Sequence, residues 1–567
     1  MNKKDPILVL GGDNRSFLSV IRSLGRAGYC VHTAFCPPGT AALASRYIQQ
    51  HHAFVIPQRA DDFEIKRFTE MLDRVGVQLV LPCDDPSIFI LAHFRSQILA
   101  QTRAYLFDDA VSEIVFNKAR MNELAKSLDI PLPREHFVSR GETDLDSVWT
   151  AVDTPVVLKP VSSFESSQLT ERFSVKKAFS KKEFLNLLPP MILNSDVLVQ
   201  ENFIGVGIGV ECLANKGRVL TIFQHERMHE PLHGGGSSYR KSVAVDRALR
   251  VAVTRLVEAL KYTGVAMFEF KKNRHTGAWI FIEINSRFWG SLPLALAAGA
   301  DFPRYLVEML LTGKTDFPQQ FKTGLYARNA TQDVQWFKEN LRADKSDARL
   351  ASLPLHRWAL EVFNILAGRE RNDTLTLDDP RPFGVETGQI LSRLYSKAAH
   401  KVMALSLKFG WVRRRKVKKA MGLVAGAERV LFVCAGNICR SVFAQYYCER
   451  KMPGHITVDS AGCYALNGRR PPGDAVASAA RYGLDMGPHP ASLVTEKAID
   501  SADIVFFFDG SDSSFLWAHY PDQYKKKIYP LGVFADTAFI ADPYEGGEAV
   551  FDEIYRQISH CIDVFVQ

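Results

Sequence analysis

The chain has 567 residues, of which 47% are hydrophobic and 23% charged, with a formal net charge of +8. This composition is typical of a soluble globular protein, and the length predicts three to four domains of roughly 100–200 residues each. No signal peptide is recognisable and no apolar run reaches the ~18 residues of a membrane span, so we predict no transmembrane segment. Nine cysteines without a Cys-x-x-Cys pair predict a reducing, cytoplasmic location.

The first part of the chain alternates strand-like and helix-like segments. Strands are predicted at residues 7–10, 30–34 and 79–82, and a helix-like stretch follows Gly11 and Gly12. Such alternation predicts a parallel sheet. The two glycines lack the full Gly-x-Gly-x-x-Gly fingerprint and the acidic residue expected after it, so they indicate a tight turn.

Two later strands carry oxygen ligands. Residues 264–270 and 279–284 are predicted strands, with Glu269 on the first and Glu283 on the second. Asn285 follows Glu283 at an alternate position, so it shares the same face while the chain stays extended. Carboxylate and amide oxygens suit Mg²⁺ (or Mn²⁺), and we predict a metal site formed by these three residues.

The segment 281–291, Phe-Ile-Glu-Ile-Asn-Ser-Arg-Phe-Trp-Gly-Ser, resembles the ATP-grasp superfamily, particularly its carboxylate–amine ligases. The resemblance spans about residues 5–400, and it implies that ATP and magnesium are bound and that Arg287 faces the reacting phosphoryl group. The loop at residues 161–168 departs from the family because it is rich in serine instead of glycine. The residues that the resemblance implies for ATP are Lys118 and Lys159 at the phosphates, Gln200 and Glu201 at the adenine amino group, and the backbone of Phe203 and Ile204.

A Gly-rich loop follows a predicted strand near residue 227. In the ligases the corresponding region borders the acceptor site, so Arg227 and Arg240 are predicted to clamp a carboxylate or phosphate of the substrate. A charged hairpin with a mobile tip explains the same composition, and both interpretations stay open.

A basic stretch at residues 408–419 separates the two regions that carry chemical motifs. Its lysines, arginines and aromatic residues could attach to an anionic membrane or to nucleic acid. Base rates for charge runs favour a linker helix with a solvated basic face. Because no zinc spacing, helix-turn-helix or RNA-binding signature is present, we predict no nucleic-acid partner.

Residues 434–441 read Cys-Ala-Gly-Asn-Ile-Cys-Arg-Ser directly after an apolar run at residues 430–433. A strand that enters a small loop and then a helix lets backbone N–H groups and the helix N-terminus converge on one phosphate. Cys434 is the predicted nucleophile, and the positive environment is expected to lower its pKa. Arg440 is expected to hold two phosphoryl oxygens through its planar guanidinium.

From about residue 428 to 567 the chain resembles the low-molecular-weight protein tyrosine phosphatases. Their signature is a Cys, five residues, an Arg and a Ser, and residues 541–544 supply the Ala-Asp-Pro-Tyr that matches the family's Asp-Pro-Tyr. The resemblance implies that Asn437 fixes the loop, that Ser441 bonds the thiolate and that Asp542 is the general acid. Leu466 replaces the Trp of eukaryotic members, as in bacterial members that act on tyrosine kinases of polysaccharide export.

An arsenate reductase of the same fold is the competing interpretation of the C-terminal region. Such an enzyme needs further cysteines as a redox relay, and Cys448, Cys463 and Cys561 do not form the expected close pair in the sequence. Asp542 also suits hydrolysis better. Phosphatase chemistry is therefore predicted.

We predict an α/β protein that joins an ATP- and Mg-dependent carboxylate–amine ligase to a tyrosine phosphatase. The phosphatase substrate is predicted to be a phosphotyrosine protein or a small phosphorylated molecule, and the ligase's carboxylate and amine stay unassigned. The alternative is a phosphatase regulated by an ATP-binding sensor that does not ligate. The predicted domains are a Rossmann-like pre-ATP-grasp domain at 1–112, a two-lobed ATP-grasp domain at 113–320, an extension with the basic linker at 321–427 and a phosphatase domain with a central parallel sheet at 428–567.

Overall fold

The computed structural model describes residues 4–12, 15–152, 155–164, 168–170, 172–231, 235–343, 352–452, 454–535, 537–544 and 546–567. Contacts divide the chain into two units, Met1–Gly388 and Gln389–Gln567, which we name the N-terminal unit and the C-terminal unit. Parts of two predicted loops, at residues 165–167 and 232–234, lie outside the described residues.

Both units combine strands and helices. The strands are β1 (Lys4–Leu10), β2 (Tyr29–Ala34), β3 (Ile48–His52), β4 (Leu79–Pro82), β5 (Arg103–Ala104), β6 (Glu135–Val138), β7 (Val156–Pro160), β8 (Lys176–Ala178), β9 (Val197–Glu201), β10 (Val206–Asn215), β11 (Arg218–His229), β12 (Tyr239–Ser242), β13 (Gly264–Lys272), β14 (Trp279–Asn285), β15 (Tyr326–Arg328), β16 (Glu370–Asn372), β17 (Arg429–Cys434), β18 (Thr457–Gly462), β19 (Ile504–Phe507) and β20 (Ile528–Pro530).

The α-helices are α1 (Arg15–Arg26), α2 (Ile65–Val75), α3 (Asp85–His93), α4 (Arg95–Leu99), α5 (Asp109–Val115), α6 (Lys118–Ser127), α7 (Leu145–Ala151), α8 (Lys181–Ile192), α9 (Arg247–Ala259), α10 (Leu292–Ala298), α11 (Phe302–Thr312), α12 (Ala330–Arg342), α13 (Leu355–Leu360), α14 (Val362–Leu366), α15 (Arg381–Leu407), α16 (Gly410–Val424), α17 (Arg440–Lys451), α18 (Gly473–Ala480), α19 (Glu496–Ser501), α20 (Gly510–His519) and α21 (Glu548–Val566). Among the described residues, 3₁₀ turns lie at Ala42–Ala44, Ala60–Asp62, Asp522–Lys527 and Leu531–Phe534.

The N-terminal unit begins with a parallel five-stranded sheet in the order β3-β2-β1-β4-β5. The carboxyl ends of parallel strands lie at one edge of their sheet. At this edge the turn after β1 contacts Asp84, the residue before α3. Asp84 Oδ2 accepts a hydrogen bond from Gly12 N at 2.8 Å, while its Oδ1 caps α3 by accepting from Ser87 N. The three predicted strands are therefore present as β1, β2 and β4. The predicted tight turn at Gly11 and Gly12 lies at the carboxyl edge of their sheet.

Two further sheets complete this unit. A small antiparallel sheet, β6-β9-β7-β8, is joined by residues 202–205 to a seven-stranded sheet in the order β14-β13-β10-β11-β12-β15-β16. In the large sheet Glu269 on β13 lies directly opposite Glu283 on β14. The pairing brings these two carboxylates to neighbouring positions on adjacent strands.

The C-terminal unit is built on a parallel sheet in the order β18-β17-β19-β20. Its central strand β17 is an apolar run that is buried on both faces, as expected when helices cover a parallel sheet. Phe443 of α17 stacks on Tyr555 of α21 with ring centroids 3.9 Å apart, which packs the helix after the loop at residues 434–439 against the C-terminal helix.

The predicted α/β class, with parallel sheets at both ends of the chain, is confirmed. Among the described residues, no helix has both the length and the apolar character needed to cross a membrane.

Candidate active sites

A cleft in the N-terminal unit collects predicted site residues from separate elements. Lys118 begins α6 directly after its N-cap Asn117, and its Nζ donates to Ser163 Oγ at 2.9 Å across the cleft. Glu283 and Asn285 enter from the end of β14. The cleft therefore brings the cation of Lys118 together with two of the predicted oxygen ligands.

Two lysines and one carboxylate in this region influence one another's pKa values. Lys159 on β7 is buried, and burial lowers the pKa of its ammonium to about 8, although Glu283 works in the opposite direction. Burial likewise lowers the pKa of Lys118. Burial works to raise the pKa of Glu283, but Lys118 and Lys159 outweigh it and hold that pKa below its usual range. An anionic ligand would thus meet two lysines in a poorly solvated place.

The predicted metal ligands are close together. Asn285 Nδ2 donates to Glu269 Oε1 at 2.9 Å, and Glu269 lies opposite Glu283 in the sheet. Arg227 Nη2 lies 2.6 Å from Glu269 Oε2. Two carboxylates and an amide fit a magnesium ion that keeps several waters. Within the described ranges, no group of three His, Cys, Asp or Glu residues is arranged for a metal.

The segment predicted for adenine connects the two later sheets of the N-terminal unit. Gln200 is buried at the end of β9, and its Nε2 donates to Glu135 Oε2 at 2.6 Å. Glu201 pairs with Arg134 at 2.9 Å. The carbonyl of Phe203 accepts from Lys271 and that of Ile204 from Asn273, both at 3.3 Å. The structure places these residues beside each other, and their contacts with adenine stay a prediction.

The three predicted arginines all have acidic partners. Arg227 pairs with Glu269, Arg287 Nε donates to Asp85 Oδ1 at 2.7 Å, and Arg240 Nη2 donates to Asp373 Oδ1 at 2.5 Å. Arg240 is almost fully buried, at 1% exposure, and Arg15 shares the same Asp373. Its predicted role as a substrate clamp would require that pair to open.

Sequence analysis missed the acidic partners Asp85 and Asp373. Asp85 stands just beyond β4, at the carboxyl edge of a parallel sheet where ligands commonly bind, and this position could have identified it. Asp373 follows the short strand β16 and carries no comparable signal.

The C-terminal unit holds Cys434 at the carboxyl end of its central strand. The thiol is buried, with Sγ 3.0 Å from Ser441 Oγ and accepting from Asn437 N at 3.3 Å. Gly462 of the neighbouring strand allows the loop to come this close, because a Cβ there would lie 2.8 Å from Asn437 N. The nucleophile is thus fixed before any ligand arrives.

Asn437 organises the loop through both its backbone and its side chain. Its φ of +52° is in the left-handed region, which Asn tolerates better than most residues. Its Nδ2 donates to Ser441 Oγ and Ser460 Oγ at 3.0 and 2.8 Å. Its Oδ1 accepts from Ser492 N at 2.8 Å and His489 Nε2 at 3.2 Å. The loop is therefore tied to β18 and to the segment at residues 489–492.

Arg440 begins α17 and is held by carboxylates. Its Nη1 lies 2.5 Å from Asp509 Oδ2 and 4.0 Å from Asp512 Oδ2, and its Nη2 donates to Asp542 Oδ2 at 2.9 Å. Arg440 is almost fully buried, whereas the Asp542 side chain is 43% exposed. The predicted acid therefore stands at the open side of the predicted phosphate loop.

The expectation of a lowered pKa for Cys434 is wrong for this structure. Burial raises the pKa of the thiol above its ordinary value, although Arg440 and a hydrogen bond from Ser441 work to lower it. Nearby Asp512 adds to the increase. The sequence-based expectation included the positive charge of Arg440. It included neither the burial of the thiol nor the carboxylates that partly neutralise the guanidinium.

Sequence analysis also missed Asp509 and Asp512. Asp509 caps α20, and with Asp512 it forms a capping box. Burial raises the pKa of Asp512 to about 7. Both follow β19, the strand next to β17, so their place at the shared carboxyl edge is the signal that could have found them.

Exposed side chains form one rim of this site. Tyr464 and Leu466 are both more than half exposed, and Arg469 Nη2 donates to Tyr544 Oη at 2.8 Å. Cys439, the second cysteine of the loop, is buried, and all nine cysteines of the chain are free of disulfides. An aromatic and cationic rim beside a buried thiol suits a phosphorylated aromatic group.

Residues 429–567 match the family described as low molecular weight phosphotyrosine protein phosphatase. They are 33% identical over 139 residues to the probable low molecular weight protein-tyrosine-phosphatase EpsP of Ralstonia nicotianae, covering 24% of this chain and 94% of that relative. The chain belongs to this family. The mouse low molecular weight phosphotyrosine protein phosphatase is 30% identical over 152 residues, which are 25% of this chain and 96% of that protein. For this phosphatase family member, the prediction that the chain is an enzyme is confirmed.

Residues 194–333 match the family described as ATP-grasp in the biosynthetic pathway with Ter operon. The predicted fusion of an ATP-grasp region to a low-molecular-weight phosphatase is therefore confirmed.

Solved structures show weaker similarity. The biotin carboxylase domain of 2-oxoglutarate carboxylase from Hydrogenobacter thermophilus is 15% identical with a TM-score of 0.46, covering 57% of this chain and 74% of that one. The tyrosine phosphatase AmsI of Erwinia amylovora is 23% identical with a TM-score of 0.24, covering 25% and 91%.

Proposed function

We propose that the C-terminal unit hydrolyses aryl phosphate monoesters through a phosphocysteine. The Cys434 thiolate attacks phosphorus, the bond from phosphorus to the aryl oxygen breaks, and Asp542 gives its proton to the leaving oxygen. Asp542 then takes a proton from a water molecule as the water oxygen attacks phosphorus, the phosphorus–sulfur bond breaks, and inorganic phosphate leaves with the thiolate restored. Asn437 and Ser441 hold the sulfur and orient it, and Arg440 binds the phosphoryl oxygens.

The observation that carries this proposal is the loop geometry around one sulfur atom. Sγ of Cys434 is held by Ser441 Oγ and Asn437 N, and Arg440 links the same loop to Asp542 at 2.9 Å. A nucleophile, an anion clamp and an acid on one small loop are the parts that the reaction requires. A phosphotyrosine protein is the proposed substrate, since the relatives are named for that activity.

For the N-terminal unit we propose an ATP-dependent carboxylate–amine ligase. Lys118 and Lys159 would hold the ATP phosphates, and residues 200–204 the adenine. A carboxylate would attack the γ-phosphoryl group of ATP, releasing ADP and giving an acyl phosphate, from which an amine displaces phosphate. Magnesium bound by Glu269, Glu283 and Asn285 would screen the charge of the phosphates.

A non-ligating ATP sensor is the second candidate, and the pair between Arg227 and Glu269 favours it. The guanidinium lies 2.6 Å from a proposed metal ligand and occupies part of its coordination capacity. We also propose the four domains predicted from the sequence and a cytoplasmic location. The free Cys434 thiol that the phosphatase reaction needs supports a reducing compartment.

The deciding experiment uses the full chain with Cys434→Ser and measures ADP release with magnesium, ATP and pooled carboxylates and amines. Release that requires one acid and one amine supports the ligase, whereas ATP binding without ADP release supports the sensor. Glu283→Gln should abolish the release, and Glu258→Gln on the exposed side of α9 is its matched control.

The phosphatase proposal is tested with two aryl phosphates. Cys434→Ser should abolish hydrolysis, while Cys448→Ser, a buried cysteine outside the loop, should retain it. In the pre-steady-state burst, which reports the first step alone, Asp542→Asn should slow release of phenol from phenyl phosphate by about 100-fold or more and release of p-nitrophenol much less, because nitrophenolate leaves without a proton. Equal losses with both substrates would contradict the acid assignment.

A further inference from the structure

The most basic part of the chain belongs to neither active site. Residues 389–427, which we name the cationic segment, contain ten Lys and Arg residues and no Asp or Glu. The whole chain has a net charge of +8, so the segment's +10 leaves −2 for all other residues. The positive charge of the protein is therefore concentrated in 39 consecutive residues.

The part of α15 within this segment exposes an apolar stripe. Leu391, Tyr395, Val402 and Leu405 follow one another at spacings of four, seven and three residues, which places them on one helix face. Tyr395 is 77% exposed and Val402 65%. Leu407 points the other way and is buried in the core of the C-terminal unit. The helix is thus attached by one face while its apolar opposite face stays in solvent.

Helix α16 repeats this arrangement with charge added. Ala420 and Val424 pack into the core of the C-terminal unit. The opposite face carries Trp411, which is 66% exposed, together with the exposed Arg414 and Lys418. Among the residues that the structure describes, no acidic side chain pairs with Arg414, Arg415, Lys418 or Lys419.

We propose that the cationic segment docks the C-terminal unit onto the surface of an anionic lipid bilayer. Exposed aliphatic and aromatic side chains next to unneutralised lysines and arginines are the pattern that binds such a surface, with the apolar groups at the acyl boundary and the cations at the headgroups. Trp411 is suited to the headgroup depth.

Other occupants fit the segment less well. Nucleic acid would use the cations, but an aliphatic stripe of Leu391, Val402 and Leu405 contributes nothing to phosphate contacts. A second copy of the chain would cover the stripe but would bring another ten positive charges against the first ten. Only an anionic surface with an apolar interior satisfies both features.

The test is sedimentation of the full chain with sucrose-loaded vesicles. Vesicles of phosphatidylcholine with about a third phosphatidylserine should bind it, pure phosphatidylcholine should not, and binding should weaken as salt shortens the Debye length. Replacing Arg414, Arg415, Lys418 and Lys419 with Gln should weaken binding by about 100-fold or more, since each cation near an anionic surface contributes substantially.

Two further variants separate the contributions. The matched control replaces four exposed cations elsewhere in the unit, Lys497, Lys525, Lys526 and Arg556, with Gln and should bind within about threefold of the unmodified chain because it leaves the segment intact. Val402→Ser, Leu405→Ser and Trp411→Ser together keep the charge and should lose about tenfold or more in affinity.

Retained hydrolysis of p-nitrophenyl phosphate verifies that each variant is folded, because none of the replaced residues belongs to the catalytic loop. Failure to bind phosphatidylserine vesicles would overturn the proposal, and so would equal losses in the Gln variant and its control. Binding to duplex DNA that the Ser replacements leave unchanged, without vesicle binding, would assign the segment to nucleic acid instead.

Discussion

Replacing Asn437 with Ala should open the catalytic loop. The side chain makes four hydrogen bonds of 3.2 Å or shorter, to Ser441, Ser460, Ser492 and His489. At about 1 kcal/mol of net stability for each bond, their loss amounts to about 4 kcal/mol. Alanine must also keep the φ of +52°, which adds about 1–2 kcal/mol. A total of about 5 kcal/mol approaches the whole stability of many domains.

Hydrogen–deuterium exchange of the full chain measures this locally, without assuming that both units unfold together. Peptides covering Arg429–Cys434 and Thr457–Gly462 should lose about 5,000-fold in protection, which corresponds to about 5 kcal/mol, together with phosphatase activity. Asn467→Ala is the control, because the exposed Asn467 accepts one bond, from Leu493 N at 2.9 Å. Similar exchange in the two variants would refute the assignment of loop stability to the Asn437 contacts.

The remaining predictions concern pH. Burial lowers the pKa of Lys159 to about 8, so its charge and the affinity for ATP should fall as pH rises from 7 to 9. Lys159→Arg keeps the charge and should flatten the profile in calorimetric titrations, and the same slope in both proteins would argue against a phosphate contact. Burial raises the pKa of Asp512 to about 7, so above that pH its carboxylate raises the pKa of the Cys434 thiol. Asp512→Asn should therefore speed alkylation of Cys434 by iodoacetamide above pH 7. Unchanged rates would show that Asp512 does not influence the pKa of the Cys434 thiol.

The local motifs were predictable because each is short and contiguous. The run 434–441 contains strand end, loop and helix start in order, and the carboxylates of Glu269 and Glu283 lie on strands that a short turn connects. Hydrophobic patterning located these strands, and turn residues located the connection.

The partners of the charged groups could not be predicted in this way. Arg287 meets Asp85 across 202 residues of sequence, and Arg440 meets Asp509 across 69. Such contacts depend on which strands are neighbours in the sheet, which local patterns do not encode. The expected direction of the Cys434 pKa shift was wrong for the same reason. The shift depends on burial of the thiol and on Asp512, which follows β19.

The carboxylates around Arg440 have a consequence for how the site discriminates among anions. The guanidinium contacts Asp509 and Asp542 at 2.5 and 2.9 Å, so its charge is already neutralised from within the protein. An incoming phosphoryl group must compete with these two carboxylates for Arg440. Its affinity therefore reflects how much more favourably the guanidinium binds phosphoryl oxygens than carboxylate oxygens. A tetrahedral dianion carries more charge than either carboxylate and is favoured in this exchange. Chloride or a free carboxylate carries only a single charge, as Asp509 and Asp542 do, and is not favoured. Ligand selectivity can therefore arise from competition inside the site as well as from the shape of its rim.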